Sequence, residues 1–249
     1  MTILSGQLAH VSPSSIQNFL GCNRRWWHEY SQGVERVTHP AAALGTALHG
    51  ELERYLLDSK DPTSERLLPA LEYFPPAGAG IEIESLNKET GTSGVLVETW
   101  LLKDLGFVKF KGRADVIDLR GVAPKIQDLK TTGNIRYAKT GPQLKANVQM
   151  LCYAHVLMES LDAPSVEVEH VYCTTKGAHH SHTASAYIDR DEAAAFWDRM
   201  IVPTAREMVI AYQEEWRSSV EPTRSECSAF GGCPHKALCP DVHQKSLNI

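Results

Sequence analysis

The sequence lacks any run of about 18 consecutive apolar residues, and Met1–Ser15 lacks a basic start followed by an apolar segment. A membrane-spanning helix requires the first feature, and a secretory leader requires the second. We therefore expect a cytoplasmic protein with no membrane partner. The sequence also has no internal repeat and no low-complexity tract, and its 43% hydrophobic content predicts one large domain over residues 1–249.

Positive charge is scarce. The chain has 25 Lys and Arg residues against 30 Asp and Glu residues, and its formal net charge is −5. Affinity for a phosphate backbone depends largely on Lys and Arg, so this balance excludes a general polyanion binder. Any contact with nucleic acid must be confined to a local patch. Carboxylates that hold a metal ion also count as negative in the sequence, although the cation neutralises them.

Cysteine is also rare, with six residues in the chain. So few and so unevenly placed cysteines do not form a disulfide framework in a reducing compartment. Cys152 and Cys173 lie in apolar patterns and are predicted to be core residues. The other four are candidate metal ligands: Cys22, Cys227, Cys233 and Cys239.

Hydrophobic periodicity predicts both helices and strands, and therefore a mixed α/β (α+β) fold. The predicted helices are Ser14–Tyr30, which carries Cys22, then Ala42–Leu57, Gln143–Leu161 and Arg190–Trp216. Between Asp61 and Gly94 the only predicted element is a short helix around Ser64–Leu71. The predicted strands are Val95–Leu102, Phe107–Leu119, Lys125–Thr131, Ser165–Thr174 and Thr183–Ile188, of which the first three form an antiparallel meander.

Two neighbouring strands carry acidic residues that alternation places together. Asp128 and Lys130 are two residues apart and project from one face of their strand. In the preceding strand Arg113, Asp115 and Ile117 are predicted to share a face. Pairing across the turn at Gly121 brings Asp115 next to Asp128. Two carboxylates and an ammonium group then share one site.

Two helices supply further candidates. His49 lies beside the apolar stripe of its helix, and Gln149 and Tyr153 are four residues apart on one helical face. Carboxylate oxygens are hard ligands that suit Mg²⁺ or Mn²⁺, and an imidazole tilts the choice slightly toward Mn²⁺. Such an ion polarises a phosphoryl oxygen and lowers the pKa of a bound water. Lys130 then orients that water or stabilises the charge that develops on the phosphorus centre.

Each of these residues has a simpler interpretation when taken alone, because an Asp-x-Lys in a strand is commonly an exposed pair and Gln-x-x-x-Tyr is usually helix surface. Their joint occurrence favours a metal site. Two other segments are ambiguous. In Asn23–Tyr30 the aromatic residues either stack on unpaired bases or place Trp27 in the core with the arginines solvated. His179, His180 and His182 are interpreted as an ordinary surface loop rather than a metal site.

The motif set resembles the PD-(D/E)XK nuclease superfamily. Within it, the set is most similar to the RecB-like iron–sulfur branch, which includes the nuclease domain of AddB and the CRISPR-associated iron–sulfur exonucleases. The matching pieces are Ser14-Ser15, Cys22, Gly45–His49, Gly112–Asp115, Asp128–Thr132, Gln149, Tyr153 and the C-terminal cysteines. The resemblance covers nearly the whole chain.

The resemblance implies a restriction-endonuclease-like core, in which helices flank a central mixed sheet. It also implies a DNA exonuclease that hydrolyses phosphodiester bonds of single strands or duplex ends. In this scheme Lys130 is the catalytic lysine, and Gln149 and Tyr153 line the DNA path. The implied ligands of the catalytic ion are His49, Asp115, Asp128 and the backbone carbonyl of Leu129.

The resemblance further implies that the four cysteines hold a structural 4Fe–4S cluster, which ties residues 1–30 to residues 220–249. The family commonly spaces the first two C-terminal cysteines more tightly than the five residues between Cys227 and Cys233. Zn²⁺ bound by four thiolates is therefore an open alternative.

Two other classes of function stay open. One is a DNA-binding subunit of a helicase–nuclease or CRISPR adaptation complex, with a helicase, recombinase or integrase partner and secondary or lost nuclease activity. The other is a structural protein with a cysteine-bound metal and an accidental Asp-x-Lys.

Overall fold

The computed structural model describes residues 7–35, 40–86, 93–213, 227 and 232–239. The strands are β1 (His10–Val11), β2 (Gly80–Glu82), β3 (Val95–Asp104), β4 (Lys109–Asp118), β5 (Lys125–Thr132), β6 (Ser165–Thr174) and β7 (Ser181–Asp189). The α-helices are α1 (Pro13–Gly21), α2 (Asn23–Tyr30), α3 (Pro40–Asp58), α4 (Gly141–Lys145), α5 (Val148–Leu161), α6 (Arg190–Phe196) and α7 (Val202–Gln213). A π-helical turn at Trp197–Ile201 joins α6 to α7, and short 3₁₀ turns lie at Leu68–Tyr73, Ile135–Tyr137 and Lys236–Leu238.

The seven strands form one mixed sheet in the order β2-β3-β4-β5-β6-β7, with β1 paired to β4. The pairs β3–β4, β4–β5 and β6–β7 are antiparallel, whereas β1–β4, β2–β3 and β5–β6 are parallel. Because β5 and β6 run in parallel, a crossover is needed between them, and α5 provides it. The predicted mixed α/β fold and the antiparallel meander β3–β4–β5 are thus confirmed.

Helices cover both faces of the sheet and create two separate cores. One face packs against α4, α5 and α6, and we call it the α5 face. Residues of α1, α2 and α7 join the same core, which includes Ile117, Ile126 and Cys152. The opposite face packs against α3 and the Leu68–Tyr73 turn, and we call it the α3 face; its core includes Leu129 and Cys173. Both cysteines are fully buried, as their apolar surroundings predict.

Two predicted helices are each divided into two. The pattern predicts one helix over Ser14–Tyr30, but Cys22 has an extended backbone (φ −158°, ψ 106°) and separates α1 from α2. Cys22 therefore lies at a helix junction and not within a helix. The pattern also predicts one helix over Gln143–Leu161, but Asn147 ends the first part and caps α5 by accepting the backbone N–H of Met150. In both cases the apolar stripe continues across the break and conceals it.

The region between Asp61 and Gly94 contains a strand that the pattern does not predict. Gly80–Glu82 pairs in parallel with the start of β3. Gly80 fits there because a Cβ atom would lie 2.5 Å from Val97 Cγ2 and 3.0 Å from the carbonyl oxygen of Leu56. The predicted helix end Tyr212–Trp216 is described only as far as Gln213. No helix among the described residues is both long enough and apolar enough to cross a membrane.

The strands β4 and β5 separate after only three residue pairs, of which the last joins Val116 to Gln127. Beyond this point β4 pairs with β1 at Lys109 and Phe110, and β5 continues beside β6. We call the opening between residues 111–115 of β4 and residues 128–132 of β5 the strand fork. Continuing the register by one step places Asp115 and Asp128 opposite each other, at the start of the fork.

We predict that Leu56→Ala lowers the free energy of unfolding by about 3 kcal/mol, because Leu56 is fully buried on the α3 face and the substitution leaves a cavity. Urea denaturation measures this change. The control is Leu57→Ala on the same helix, where the side chain is only partly buried and the loss should be about half as large. Equal losses in the two variants would contradict this packing of α3.

Candidate active site

Asp115 lies at the start of the strand fork, between a strand and a helix. One carboxylate oxygen, Oδ2, accepts the backbone N–H of Leu129 at 2.8 Å. The same oxygen lies 3.1 Å from Nδ1 of His49 on α3. Because β4 and β5 no longer pair here, the N–H of Leu129 has a side-chain acceptor in place of a backbone carbonyl. The fork therefore fixes the carboxylate of Asp115 at the point where β5 and α3 meet.

Glu98 on β3 completes a cluster that the sequence analysis does not predict. One ligand atom from each of His49, Glu98 and Asp115 lies within 4.8 Å of the others. Glu98 has a positive φ of 52°, which is strained for a residue with a side chain, and such strain is concentrated at functional sites. The available signal in the sequence is weak: Glu98 is an acidic residue within a strand that is otherwise largely apolar.

The strained residue coincides with a reversal of the strand faces. On β4, Ala114 packs in the α5-face core, but Val116 packs in the α3-face core two residues later. Regular alternation would place both on one face. The predicted common face of Arg113, Asp115 and Ile117 is therefore wrong, because Asp115 contacts α3 whereas Ile117 packs in the α5-face core. The reversal is what directs Asp115 toward His49.

Asp128 and Lys130 form the second half of the site, on the α5 face as alternation predicts. Oδ2 of Asp128 lies 2.5 Å from Nζ of Lys130. The other oxygen of Asp128 accepts Nε2–H of Gln149 at 2.7 Å, and Lys130 donates to Oε1 of Gln149 at 3.1 Å. Both oxygens of Asp128 are thus engaged by the lysine and the amide. The predicted ligand Asp128 is present at the site, but in this arrangement it holds Lys130.

Gln149 and Tyr153 contact the site from the first two turns of α5. The hydroxyl of Tyr153 donates to the backbone carbonyl of Arg113 at 2.7 Å. The same hydroxyl oxygen accepts a weak hydrogen bond from Nε2–H of Gln149 at 3.4 Å. Position 112 has room only for glycine, because a Cβ atom there would lie 2.5 Å from Cε1 of Tyr153. The residues Gly112 and Tyr153 therefore allow α5 to approach β4 closely across the fork.

The electrostatics show a cluster of carboxylates that is not fully neutralised. Burial and the charge of Asp115 raise the pKa of Glu98 to about 7. Burial also raises the pKa of Asp128, although the ammonium group of Lys130 opposes this shift. Burial lowers the pKa of His49, but the hydrogen bond and negative charge of Asp115 outweigh it, so the net shift is upward. A divalent cation would relieve this repulsion.

The donor set fits a hard divalent ion. Two carboxylates and an imidazole suit Mg²⁺ or Mn²⁺, and the convergence of His49, Glu98 and Asp115 places them where one ion can contact all three. Burial lowers the pKa of Lys130, but the charge and hydrogen bond of Asp128 and the charge of Asp115 together outweigh it, so the net shift is upward and Lys130 keeps its proton. The site therefore combines a cation-binding cluster with a fixed ammonium group.

The four candidate cysteine ligands gather near the α1–α2 junction. The backbone N–H of Cys233 donates to the carbonyl of Cys227 at 3.0 Å. Burial raises the pKa of Cys233, and the nearby thiol groups of Cys22 and Cys227 raise it further. Nη1–H of Arg24 on α2 donates to Sγ of Cys239 at 3.2 Å. Residues 1–6, 220–226, 228–231 and 240–249 of the two predicted terminal segments lie outside the described residues.

Two ambiguous segments can now be interpreted. Trp26 and Trp27 are 0% and 2% exposed, so they belong to the core and cannot stack on bases. Arg24 is buried beside Cys239, so the prediction of solvated arginines is wrong for this residue. His179, His180 and His182 are exposed, and within the described ranges they do not form a converging ligand group.

Fold and site together define a mixed α/β domain with acidic residues, a histidine and a lysine at a gap in its central sheet. A family model of the PD-(D/E)XK nuclease superfamily matches residues 10–240. The chain belongs to the PD-(D/E)XK nuclease superfamily, which implies a DNA substrate and a divalent metal ion. The expected restriction-endonuclease-like core is thereby confirmed.

Two solved structures have a similar fold. One is a protein from Eubacterium rectale that is described only provisionally as an exonuclease; it is 12% identical with a TM-score of 0.53, and the match covers 94% of this chain and 87% of that one. The other is SSO0001, 17% identical with a TM-score of 0.49, where the match covers 95% and 88%. None of the curated proteins matches the chain significantly.

We predict that Glu98→Gln weakens Mn²⁺ binding at least about tenfold, because it removes one charged ligand from the cluster. Isothermal titration calorimetry without DNA measures this affinity. The affinity of the parent protein should rise between about pH 6 and pH 8, because the ion requires Glu98 and His49 without their protons and both pKa values are raised. The rise should be shallower in the variant.

The matched control for this prediction is Glu53→Gln. Glu53 lies four residues after His49 on α3, and its charge reaches Glu98, but it is outside the converging group. Its loss should change Mn²⁺ affinity by less than about threefold. Equal affinities of the parent and Glu98→Gln proteins would exclude Glu98 as a ligand.

Proposed function

We propose that the protein is a metal-dependent DNA exonuclease of the RecB-like iron–sulfur branch. It hydrolyses phosphodiester bonds of single-stranded DNA or of duplex ends with Mg²⁺ or Mn²⁺. The observation that carries this proposal is the convergence of His49, Glu98 and Asp115 beside the Asp128–Lys130 ion pair. The similar fold of the E. rectale protein, with its provisional exonuclease description, supports an exonuclease over an endonuclease.

In this proposal His49, Glu98 and Asp115 hold the catalytic ion, with Asp128 and the backbone carbonyl of Leu129 at the same site. When bound, the ion supplies Lewis-acid polarisation of a phosphoryl oxygen and a water of lowered pKa. Lys130 remains protonated and is held between Asp128 and Gln149. Its ammonium group lines the adjoining cleft, where it can stabilise the negative charge that develops on the transferred phosphoryl group.

We predict that Lys130→Ala and Asp128→Ala each reduce Mn²⁺-dependent degradation of end-labelled DNA by about 100-fold or more, because each disrupts the fixed ammonium group. Lys130→Ala should leave Mn²⁺ affinity largely unchanged. The matched control is Lys125→Ala, since Lys125 lies on the same strand but pairs with Glu167 and Glu169 away from the site. This variant should retain activity.

Full activity of both site variants would overturn the proposed active site. The alternative is a DNA-binding subunit of a helicase–nuclease or CRISPR adaptation complex. That alternative predicts no cleavage by the parent protein, together with stable co-purification of a helicase, recombinase or integrase partner.

The proposal includes a structural 4Fe–4S cluster on Cys22, Cys227, Cys233 and Cys239. Four thiolates are the ligand set that such a cluster requires. The contacts of Cys233 with Cys227 and of Cys239 with Arg24 bring the C-terminal cysteines toward the α1–α2 junction, which supports a shared centre. The preference for iron–sulfur over a zinc ion rests on the family resemblance.

We predict that protein purified without oxygen is brown and contains about four irons per chain. Cys239→Ser should lose most of this iron and unfold at a lower temperature, because the cluster then no longer joins the α1–α2 junction to the C-terminal segment. Cys152→Ala is the control: Cys152 is buried under the sheet, so the iron content per chain should not change. Colourless protein with one zinc per chain would contradict the cluster.

A further inference from the structure

The site opens into a cleft that extends on both sides of Lys130. One cavity of about 610 Å³ lies on the side of β4 and α1, and a second of about 430 Å³ lies on the side of the Ile135–Tyr137 turn. Gln17, Lys130 and Gln149 line both cavities. The two cavities are therefore adjacent at these three residues, and together they form one path past Lys130.

The charge of this path differs from that of the whole chain. Lys111, Arg113 and Lys130 line the first cavity, and Lys130 and Lys139 line the second. Among the described residues that line the two cavities there is no Asp or Glu. The chain as a whole has a net charge of −5. Arg113 and Lys130 are paired with Glu98 and Asp128, so the local patch that phosphate binding requires rests mainly on Lys111 and Lys139.

An aromatic side chain lies in each arm of the path. Trp100 lines the first cavity, with Nζ of Lys111 3.9 Å from its ring centroid and the guanidinium of the cross-strand residue Arg113 at 5.5 Å. Tyr137 lines the second cavity, is 67% exposed, and has the guanidinium of Arg136 4.7 Å from its ring centroid. Tyr137 is exposed and Trp100 is half-buried at the cavity wall. Cations next to accessible aromatic rings are the combination that binds single-stranded nucleic acids.

We propose that an unpaired DNA strand crosses this path, with one base stacked on Trp100 and another on Tyr137, on opposite sides of Lys130. The inference rests on the proposed nuclease function and specifies its substrate as a single strand. Bases in a duplex stack on each other and have no free face for an aromatic side chain, so these two rings select unpaired bases. Lys111 beside Trp100 and Arg136 beside Tyr137 then contact the phosphates next to each stacked base.

The test measures binding without cleavage. Fluorescence anisotropy in EDTA compares a short single strand with a blunt duplex of the same sequence. Trp100→Ala and Tyr137→Ala should each weaken single-strand binding about tenfold, whereas duplex binding should change less than about twofold. Trp100→Phe and Tyr137→Phe retain a stacking ring and should bind the single strand nearly as well as the parent.

Tyr187→Ala is the matched control, because Tyr187 is also an exposed aromatic residue (58%) but lies on the edge strand β7 outside both cavities. It should bind both DNA forms like the parent. Thermal unfolding checks that Trp100→Ala is folded, and the Phe variants decide the result if it is not. Single-strand affinity within about twofold of the parent in both Ala variants, or equal loss in the Phe variants, would overturn the stacking path.

The two proposals fail in distinguishable ways. If the Ala variants lose single-strand binding and the parent shows no metal-dependent cleavage, the stacking path is supported and the nuclease function is rejected. If cleavage depends on Lys130 but the Ala variants bind single strands like the parent, the nuclease function is supported and the stacking path is rejected.

Discussion

The separation of β4 from β5 is the constraint on which the site depends. Three residue pairs hold the strands together, and the next position in the register holds an acidic residue on each strand. With continued pairing, the backbone N–H of Leu129 would bond to a carbonyl, and Asp115 would have no fixed place. Because the strands part, Asp115 takes that N–H and reaches His49. The gap in the central sheet thus orients the carboxylate of Asp115 and leaves a cleft beside it.

The arrangement lowers the stability of the chain without an ion. Glu98 has a strained backbone. Burial and the charge of Asp115 raise the pKa of both Glu98 and Asp128, and the ion pairs with Arg113 and Lys130 offset this only in part. A positive φ in such a residue costs about 1–3 kcal/mol, and packing on both faces of the sheet must offset this. Sites of this kind are retained when a ligand compensates them, because binding to the folded state alone adds the missing stability. The strain at Glu98 is therefore a cost that the proposed cation site would compensate.

Most of the fold and half of the site follow from local periodicity. Alternation along β5 correctly places Asp128 with Lys130, and helical spacing correctly places Gln149 with Tyr153. Glu98 is not predicted because it lies at the reversal of the strand faces. A pattern of strict alternation does not show where the alternation is interrupted. The helix break at Cys22 is not predicted for a related reason, because the apolar stripe continues from α1 into α2. Sequence patterns report the regular elements, whereas ligand geometry here depends on their irregular points.

The two faces of the sheet contribute different chemistry to the fork. Asp115, Glu98 and His49 meet on the α3 side, where negative charge and an imidazole favour a cation. Lys130 and Gln149 approach from the α5 side, and the cleft that they line is also lined by Lys111 and Arg113. In an unbroken sheet the backbone would separate these groups. The fork removes that barrier, so in the proposed mechanism a phosphate in the cleft would lie next to an ion held by the acidic cluster. The proposed function would also reconcile a net charge of −5 with a polyanionic substrate, because the acidic residues would hold the ion that the phosphate needs and the cations line the proposed strand path.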